Sequence, residues 1–170
     1  MDDSSIGLSC CAYCHTLREQ KVVEIINSCE GVTAISPEKL KKERRQGKWE
    51  LCNKRLLPGY VFIYGNDGAQ IIDAAKKANV IMLRYGDGSW QLEGGDYEFA
   101  KWVFEHNGLI EIVKAVQSGD TIKIIDGPFA NIKGRVIQID KRRQLIKVQL
   151  DINDFQIWLS FDYFTVENDE

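Results

Sequence analysis

The last third of the chain contains two β-type runs that meet at a charged tip, and this pattern constrains the fold more than any other. Residues 136–140 are rich in β-branched side chains, and residues 145–150 alternate between apolar and polar with a period of two. Lys141-Arg142-Arg143 separates the two runs. Such a pattern predicts an antiparallel hairpin. Gly127-Pro128 marks a turn before it, and Gly134 marks a bend at its start.

The preceding part of the chain alternates between strand and helix patterns. The predicted strands are residues 8–14, 32–36, 49–56, 60–64, 80–85 and 90–92, of which 49–56 is the return arm of a hairpin. The predicted helices follow a capping box of Thr16 and Glu19, a cap at Asn66-Asp67, and Gly94-Gly95-Asp96. This order predicts a sheet with helices packed on it, which is the α+β class.

The charge is distributed unevenly along a chain whose net charge is −3. Residues 39–55 are dominated by lysine and arginine, whereas residues 151–170 contain several acidic residues and no basic residue. A local basic patch on an acidic protein indicates directed contacts with a partner rather than a general affinity for polyanions.

The sequence predicts a cytoplasmic protein without membrane contact. No apolar run approaches the length of a transmembrane helix, and the first residues lack the pattern of an export signal. The chain has five cysteines, and we expect reduced thiols. Cys11-x-x-Cys14-His15 invites a zinc interpretation, but Cys29 and Cys52 supply no second ligand pair. We therefore expect small buried side chains and no metal. No catalytic or cofactor-binding motif is recognisable, so we expect neither an enzyme nor a cofactor.

Strings in both halves of the chain resemble the NusG family of transcription elongation factors. Leu56–Ile63, which contains Pro58-Gly59-Tyr60-Val61-Phe62, is similar to the family's most distinctive string, and the basic residues 44–50 precede it as in the family. Residues 12–22 are similar to the family's first strand and helix. Ser118-Gly119-Asp120 and residues 126–140 resemble the KOW motif, a signature of small SH3-like β-barrels. The residues of that motif are Gly127, Pro128, Phe129 and Gly134.

The resemblance implies an N-terminal NGN domain at residues 6–108, which is an α/β sandwich. A short linker would follow at 109–117, and a C-terminal KOW barrel at 118–167. It also implies binding to the clamp helices of bacterial RNA polymerase. The residues implied in that contact are Tyr13, Pro58, Gly59, Tyr60 and Phe62. The period of two places Tyr60 and Phe62 on one face, so both are core or both are surface. The resemblance favours the surface.

Three groups of basic residues are candidates for contact with nascent RNA or non-template DNA, because lysine and arginine neutralise phosphate charge. They are His15, Arg18 and Lys21 near the first helix; Lys41, Lys42, Arg44 and Arg45 in the hairpin; and Lys133, Arg135, Lys141, Arg142, Arg143 and Lys147 in the barrel. For each group the alternative is an ordinary solvated surface.

One turn of the predicted barrel departs from the general factors of this family. Those factors carry Ile-Phe-Gly-Arg where this chain has Ile152-Asn153-Asp154-Phe155. Asn153 stands in the place of the aromatic residue that contributes to binding termination factor Rho or a small-subunit ribosomal protein. Phe155 substitutes for that aromatic only if the turn is reshaped. Rho binding is therefore doubtful.

These observations predict a specialised NusG-type antitermination factor, most similar to paralogues of the RfaH and LoaP kind. We expect a monomer that binds polymerase through the NGN domain and RNA or a second protein, such as a ribosomal protein, through the KOW domain. One alternative is a general NusG that couples polymerase to Rho or the ribosome. The other is a KOW-type RNA-binding or ribosome-assembly protein without polymerase contact.

Overall fold

The computed structural model describes residues 6–118, 121–126, 130 and 136–164. Its strands are β1 Leu8–Tyr13, β2 Val32–Ile35, β3 Glu38–Arg45, β4 Lys48–Arg55, β5 Tyr60–Gly65, β6 Ile81–Met82, β7 Leu109–Ile110, β8 Val113–Ser118, β9 Thr121–Ile124, β10 Val136–Asp140, β11 Leu145–Gln149 and β12 Gln156–Phe164. Its helices are α1 Glu19–Asn27, α2 Gly68–Lys77 and α3 Gly94–Glu105, with a 3₁₀ turn at Ile152–Asp154. The α+β class predicted from the sequence is confirmed.

The first sheet has the strand order β2-β5-β1-β6, and helices cover both of its faces. On one face, Ile26 of α1 and Ile71 of α2 belong to the same buried cluster as Ala12 and Ile63 of the sheet. On the other face α3 packs on β5, since the ring of Phe99 lies 5.8 Å from that of Phe62. The helices on the two faces therefore pack into two separate cores.

Three cysteines of the first strand region follow this division. Cys10 and Cys14 belong to the core under α1 and α2, whereas Cys11 belongs to the core under α3. Burial raises the pKa of the Cys10 thiol to about 12. These thiols are therefore small buried side chains of the two cores, and burial keeps them protonated and poorly reactive. Among the described residues, no group of three or more His, Cys, Asp or Glu side chains is placed to hold a metal ion.

A long hairpin forms the second sheet, of order β4-β3-β7. Its arms pair continuously from Glu38 and Arg55 to Arg45 and Lys48. The connecting residues Gln46 and Gly47 both have positive φ, the geometry of the tight turns that match the twist of a hairpin.

The C-terminal sheet has the order β10-β11-β12-β8-β9, in which β12 and β8 run parallel. Its apolar side chains, including Ile146 and Phe161, belong to the same buried cluster as Phe62 and Phe99. Residues 109–117, predicted as a linker, consist largely of β7, which pairs with β3, and part of β8, which pairs with β12. The division of the chain into domains at these residues stays a prediction.

The structure differs from the sequence prediction in three local features. Residues 80–85 form a strand only at Ile81–Met82, and 90–92 form none, because Leu92 meets the sheet through a single bond from its N–H to the Ser9 carbonyl. The predicted capping box is wrong: α1 begins at Glu19, whose carboxylate turns away to another element. The predicted KOW residues Gly127, Pro128, Phe129 and Gly134 and the basic residues Lys133 and Arg135 lie outside the described residues.

In the ranges that the structure describes, no helix has both the length and the apolar character needed to cross a membrane.

Candidate protein and nucleic-acid interface

Three apolar side chains lie in register across neighbouring strands at one end of the first sheet. Tyr13 of β1 pairs with Tyr60 of β5 on one side and with Ile81 of β6 on the other. Residues that pair directly in an antiparallel sheet project from the same face. Tyr13 is 37% exposed and Ile81 is 66% exposed. We call these three residues the apolar row; it forms an apolar surface beyond the edge of α3.

Phe62 does not share this exposure, which corrects the expectation that it is a surface residue. The structure confirms that Phe62 projects from the same face as Tyr60, but Phe62 is only 1% exposed. The physical reason is the position of α3, which covers Phe62 with Phe99 and leaves Tyr60 beyond its edge. The two-residue period therefore assigns the face correctly, whereas exposure changes along the strand.

The turn before β5 is fixed by a buried carboxylate. Oε1 of Glu19 accepts a hydrogen bond of 2.8 Å from the N–H of Gly59, and Nε of Arg55 lies 3.6 Å from the same oxygen. Gly59 has φ of +87°, and a Cβ there would lie 3.0 Å from the Cys14 carbonyl oxygen. Glycine is therefore required at this position. The hydrogen bond to Glu19 holds the Pro58-Gly59 turn beside the apolar row.

The titration of Glu19 follows from these contacts. Burial alone would raise its pKa, but hydrogen bonds from backbone amides, including that of Gly59, and the charge of Arg55 outweigh burial and hold the pKa below its ordinary value of 4.5. A carboxyl group with a lowered pKa in the folded state stabilises the fold fully above its ordinary pKa, and this contribution is lost as the pH falls through the folded-state value.

We expect Glu19→Gln to lower the free energy of unfolding at neutral pH by about 1–3 kcal/mol, because a buried charged acceptor loses part of its bonding. The loss should shrink as the pH falls from 4.5 through the lower folded-state pKa, where the wild-type carboxylate becomes protonated. Urea titrations across this pH range measure both effects. Glu24→Gln, an exposed change on the same helix, is the matched control. An equal loss from both variants would contradict the role of Glu19.

The C-terminal sheet contacts this end of the first sheet through the turn at residues 152–155, which we call the barrel tip. The ring of Phe155 packs edge-on against Tyr60, with 4.6 Å between the ring centroids. Ile152 is buried in the shared core. The barrel tip therefore covers the Tyr60 end of the apolar row and leaves Tyr13 and Ile81 open.

Asp96, in the first turn of α3, holds the barrel tip in place. Its Oδ1 accepts a hydrogen bond of 2.9 Å from the N–H of Asp151, and its Oδ2 accepts bonds of 2.8 Å from the N–H of Ile152 and 2.7 Å from the hydroxyl of Tyr85. Charge-assisted bonds of this kind are among the stronger ones in proteins. Sequence reasoning finds Asp96 only as a helix opener, because its two backbone partners, Asp151 and Ile152, lie more than fifty residues away.

Besides the contact at the barrel tip, the C-terminal sheet also contacts the β3–β4 hairpin. The ammonium group of Lys42 forms an ion pair with Asp162 and lies 3.2 Å from Oε1 of Gln144, and Lys39 donates to the carbonyl of Trp158. Burial, together with the charge of Lys41, lowers the pKa of Lys39. A cleft of about 420 Å³ lies beside this contact, lined by residues of both parts that include Lys41 and Arg143. The structure thus brings two of the predicted basic groups together.

The other predicted basic residues occupy varied positions. His15, Arg18 and Lys21 are exposed at the start of the chain, and Lys141, Arg142 and Arg143 are exposed in the turn between β10 and β11. Lys147 lies over the ring of Trp158, 5.4 Å from its centroid. In the hairpin, Lys41 and Arg45 pair with Glu43, whereas Arg44 is exposed. Exposed cations without an acidic partner are the best candidates for phosphate contact.

Comparison with known proteins agrees with this architecture. The KOW motif matches residues 118–149. The chain is 27% identical over 143 residues to the transcription termination/antitermination protein NusG of Thermus thermophilus, which covers 78% of this chain and 77% of that protein. It is 26% identical over 121 residues to the protein of the same name from Bacillus subtilis, covering 67% of each.

A solved structure described as "Domain interaction in Thermotoga maritima NusG" covers 89% of this chain and 91% of that chain, with a TM-score of 0.50 and 21% sequence identity. At this level of identity the likeness shows a shared fold. The arrangement of a helix-covered sheet followed by a small β-structure therefore recurs in that protein.

Proposed function

We propose that the chain is a NusG-type transcription factor that binds bacterial RNA polymerase and acts as a specialised antitermination factor. Its KOW motif and its likeness to two NusG proteins support this proposal. The apolar row is the observation that carries the polymerase contact. An exposed apolar strip at the end of a sheet suits a partner helix with an apolar face. The clamp helices of polymerase, which the family resemblance implies, offer such a partner.

The proposed contact consists of Tyr13, Tyr60 and Ile81, bordered by the turn at Pro58-Gly59. Phe62 supports the contact from below, because its side chain is buried between the sheet and α3. The role is mechanical rather than chemical. A factor that is bound to polymerase in this way carries its hairpin and its C-terminal sheet to the transcription complex.

The barrel tip must leave Tyr60 before a partner helix occupies the whole apolar row. Phe155 lies against Tyr60, so the arrangement described above is a closed state of the proposed site. A ligand that binds only the open state shifts the population towards it by mass action. Polymerase and the barrel tip therefore compete for one surface.

We expect Tyr13→Ala to weaken binding to polymerase core about thirtyfold, since truncating a central interface aromatic costs about 2 kcal/mol. Tyr13 is the best position to change, because it is exposed and lies in the middle of the apolar row. Binding of the purified chain to immobilised core enzyme measures the effect. Ile137→Ala, an exposed apolar change on β10, is the control.

Failure of the wild-type chain to bind core enzyme would contradict the proposal. It would favour the alternative of a KOW-type RNA-binding or ribosome-assembly protein without polymerase contact. For the C-terminal sheet we propose contact with nascent RNA through the turn at Lys141, Arg142 and Arg143, whose side chains are exposed. Arg143 also lies 3.9 Å from Asp140, so Lys141 and Arg142 are the main candidates. A ribosomal protein is the other partner considered for this sheet.

The specialised role, as opposed to that of a general NusG, rests on the barrel tip. Asn153 is exposed and has φ of +54°, and the one aromatic of the turn, Phe155, faces Tyr60. An exposed aromatic anchor for Rho is thus absent from residues 152–155.

We expect the purified chain not to retain Rho in a pull-down and not to stimulate Rho-dependent termination, because the barrel tip offers no exposed aromatic anchor. Replacing Asn153-Asp154-Phe155 by Phe-Gly-Arg should raise Rho retention. The unchanged chain serves as its control. Strong retention of Rho by the unchanged chain would return it to the general factors. Occupancy on most transcription units in the cell would do the same.

A further inference from the structure

The far half of the β3–β4 hairpin stands apart from the rest of the protein. β7 pairs only with Glu38 and Lys39 at the base of β3, and the contact with the C-terminal sheet reaches as far as Lys42. Beyond that point, within the described ranges, the two arms pair only with each other, and they end at the turn of Gln46 and Gly47. This end of the hairpin is accessible to a partner on both faces.

One face of the hairpin end presents an exposed aromatic ring. Trp49 is 65% exposed, and Leu51, two residues along the same strand, is 61% exposed. Among the described residues, no hydrogen bond, ring contact or ion pair of Trp49 is found. Large apolar side chains that are neighbours on an open surface mark an interaction site more often than isolated ones do. The ring of Trp49 is thus free to stack on a ligand.

The charge beside Trp49 favours an anionic ligand. Arg44 lies directly opposite Trp49 in the register, so the two side chains project from the same face, and Arg44 is exposed. Within the part of the chain that the structure describes, Arg44 forms no ion pair. Glu43 projects from the opposite face and is already engaged by basic neighbours, which are Lys41, Arg45 and Lys54.

We propose that Trp49 and Arg44 form a binding site for single-stranded nucleic acid, in which a base stacks on Trp49 and an adjacent phosphate contacts Arg44. Proteins that bind single strands combine an aromatic platform with basic residues along the backbone path. Base pairs of a duplex are already stacked on each other, so their faces are not offered to Trp49. An acidic protein would satisfy the charge of Arg44 without using the ring.

This site specifies the nucleic-acid contact of the proposed function and rests on that function. Its test uses no polymerase, so the single-strand site and the polymerase contact can each fail independently of the other. The assay is fluorescence anisotropy of the full chain with labelled oligothymidine, oligouridine and a duplex of equal length. Stacking on an aromatic side chain is worth about 1–3 kcal/mol per base, so Trp49→Ala should weaken single-strand binding by about fivefold to hundredfold. Trp49→Phe should retain most of the affinity. The DNA and RNA arms show which strand is preferred.

The charge contribution is measured separately by salt dependence. Removing one phosphate contact by Arg44→Gln should reduce the slope of log K against log salt by about 0.7, the value for one contact on a single strand. Ile137→Ala, an exposed apolar change on β10, is the control and should leave binding unchanged. Wild-type affinity in Trp49→Ala, equal affinity for the duplex, or complete displacement of the oligonucleotide by polyglutamate would overturn the proposal.

Discussion

Phe62→Ala is expected to lower the free energy of unfolding by about 3–5 kcal/mol, the usual cost of replacing a buried phenylalanine by alanine. Phe62 is fully enclosed between β5 and α3, and its ring packs against Phe99. The cavity left by the substitution would lie in the core that also includes Phe161 of the C-terminal sheet. Urea denaturation followed by circular dichroism measures the loss.

The control for Phe62→Ala is Leu17→Ala, since Leu17 is 91% exposed and a change there should alter stability by at most about 0.5 kcal/mol. If Phe62→Ala were as stable as the wild type, the packing of α3 on the sheet would be contradicted. Phe62 would then return to the set of candidate surface residues.

Asp96→Ala is expected to release the barrel tip from the first sheet. Two backbone N–H groups and one tyrosine hydroxyl lose a charged acceptor, and each such bond contributes about 1.5–3 kcal/mol. Amide hydrogen exchange of Asp151 and Ile152 should then quicken, because their N–H groups become accessible to water. Mass spectrometry of the peptide that covers residues 150–156 measures the change.

Asp87→Ala is the matched control for that exchange measurement. Asp87 is also an aspartate near α3, but its carboxylate accepts its bonds from Ser89, within its own turn. Exchange at Asp151 and Ile152 should remain at the wild-type rate in this variant. Slow exchange in Asp96→Ala would show that the barrel tip is held by apolar packing alone, against the role given to Asp96.

Sequence reasoning succeeded where the pattern is long and local. The hairpin of β3 and β4 and the strand β5 are predictable because their continuous residue patterns are compatible with only one regular structure, the β-strand. The cap of α2 is equally local: Asp67 accepts a bond from the N–H of Ala69, as predicted for Asn66-Asp67. The α+β class follows from the order of these elements.

Sequence reasoning failed where a residue's partner is remote. Glu19 fits a capping box by spacing, yet its carboxylate bonds to Gly59, forty residues away. Phe62 and Tyr60 share a face, but only the position of α3 decides which of them is buried. The bonds of Asp96 to the barrel tip likewise depend on how two sheets dock. Tertiary packing sets these roles, and local patterns carry no signal for them.

The central claim is that polymerase binds the surface that the barrel tip covers. The most direct test is an equilibrium titration of polymerase core with the wild-type chain and with Asp96→Ala. If the barrel tip competes for Tyr60, the variant should bind more tightly by the factor by which its open fraction rises, because the apparent affinity is proportional to that fraction. Equal or weaker binding by Asp96→Ala, with its barrel tip shown to be free by hydrogen exchange, would contradict the claim.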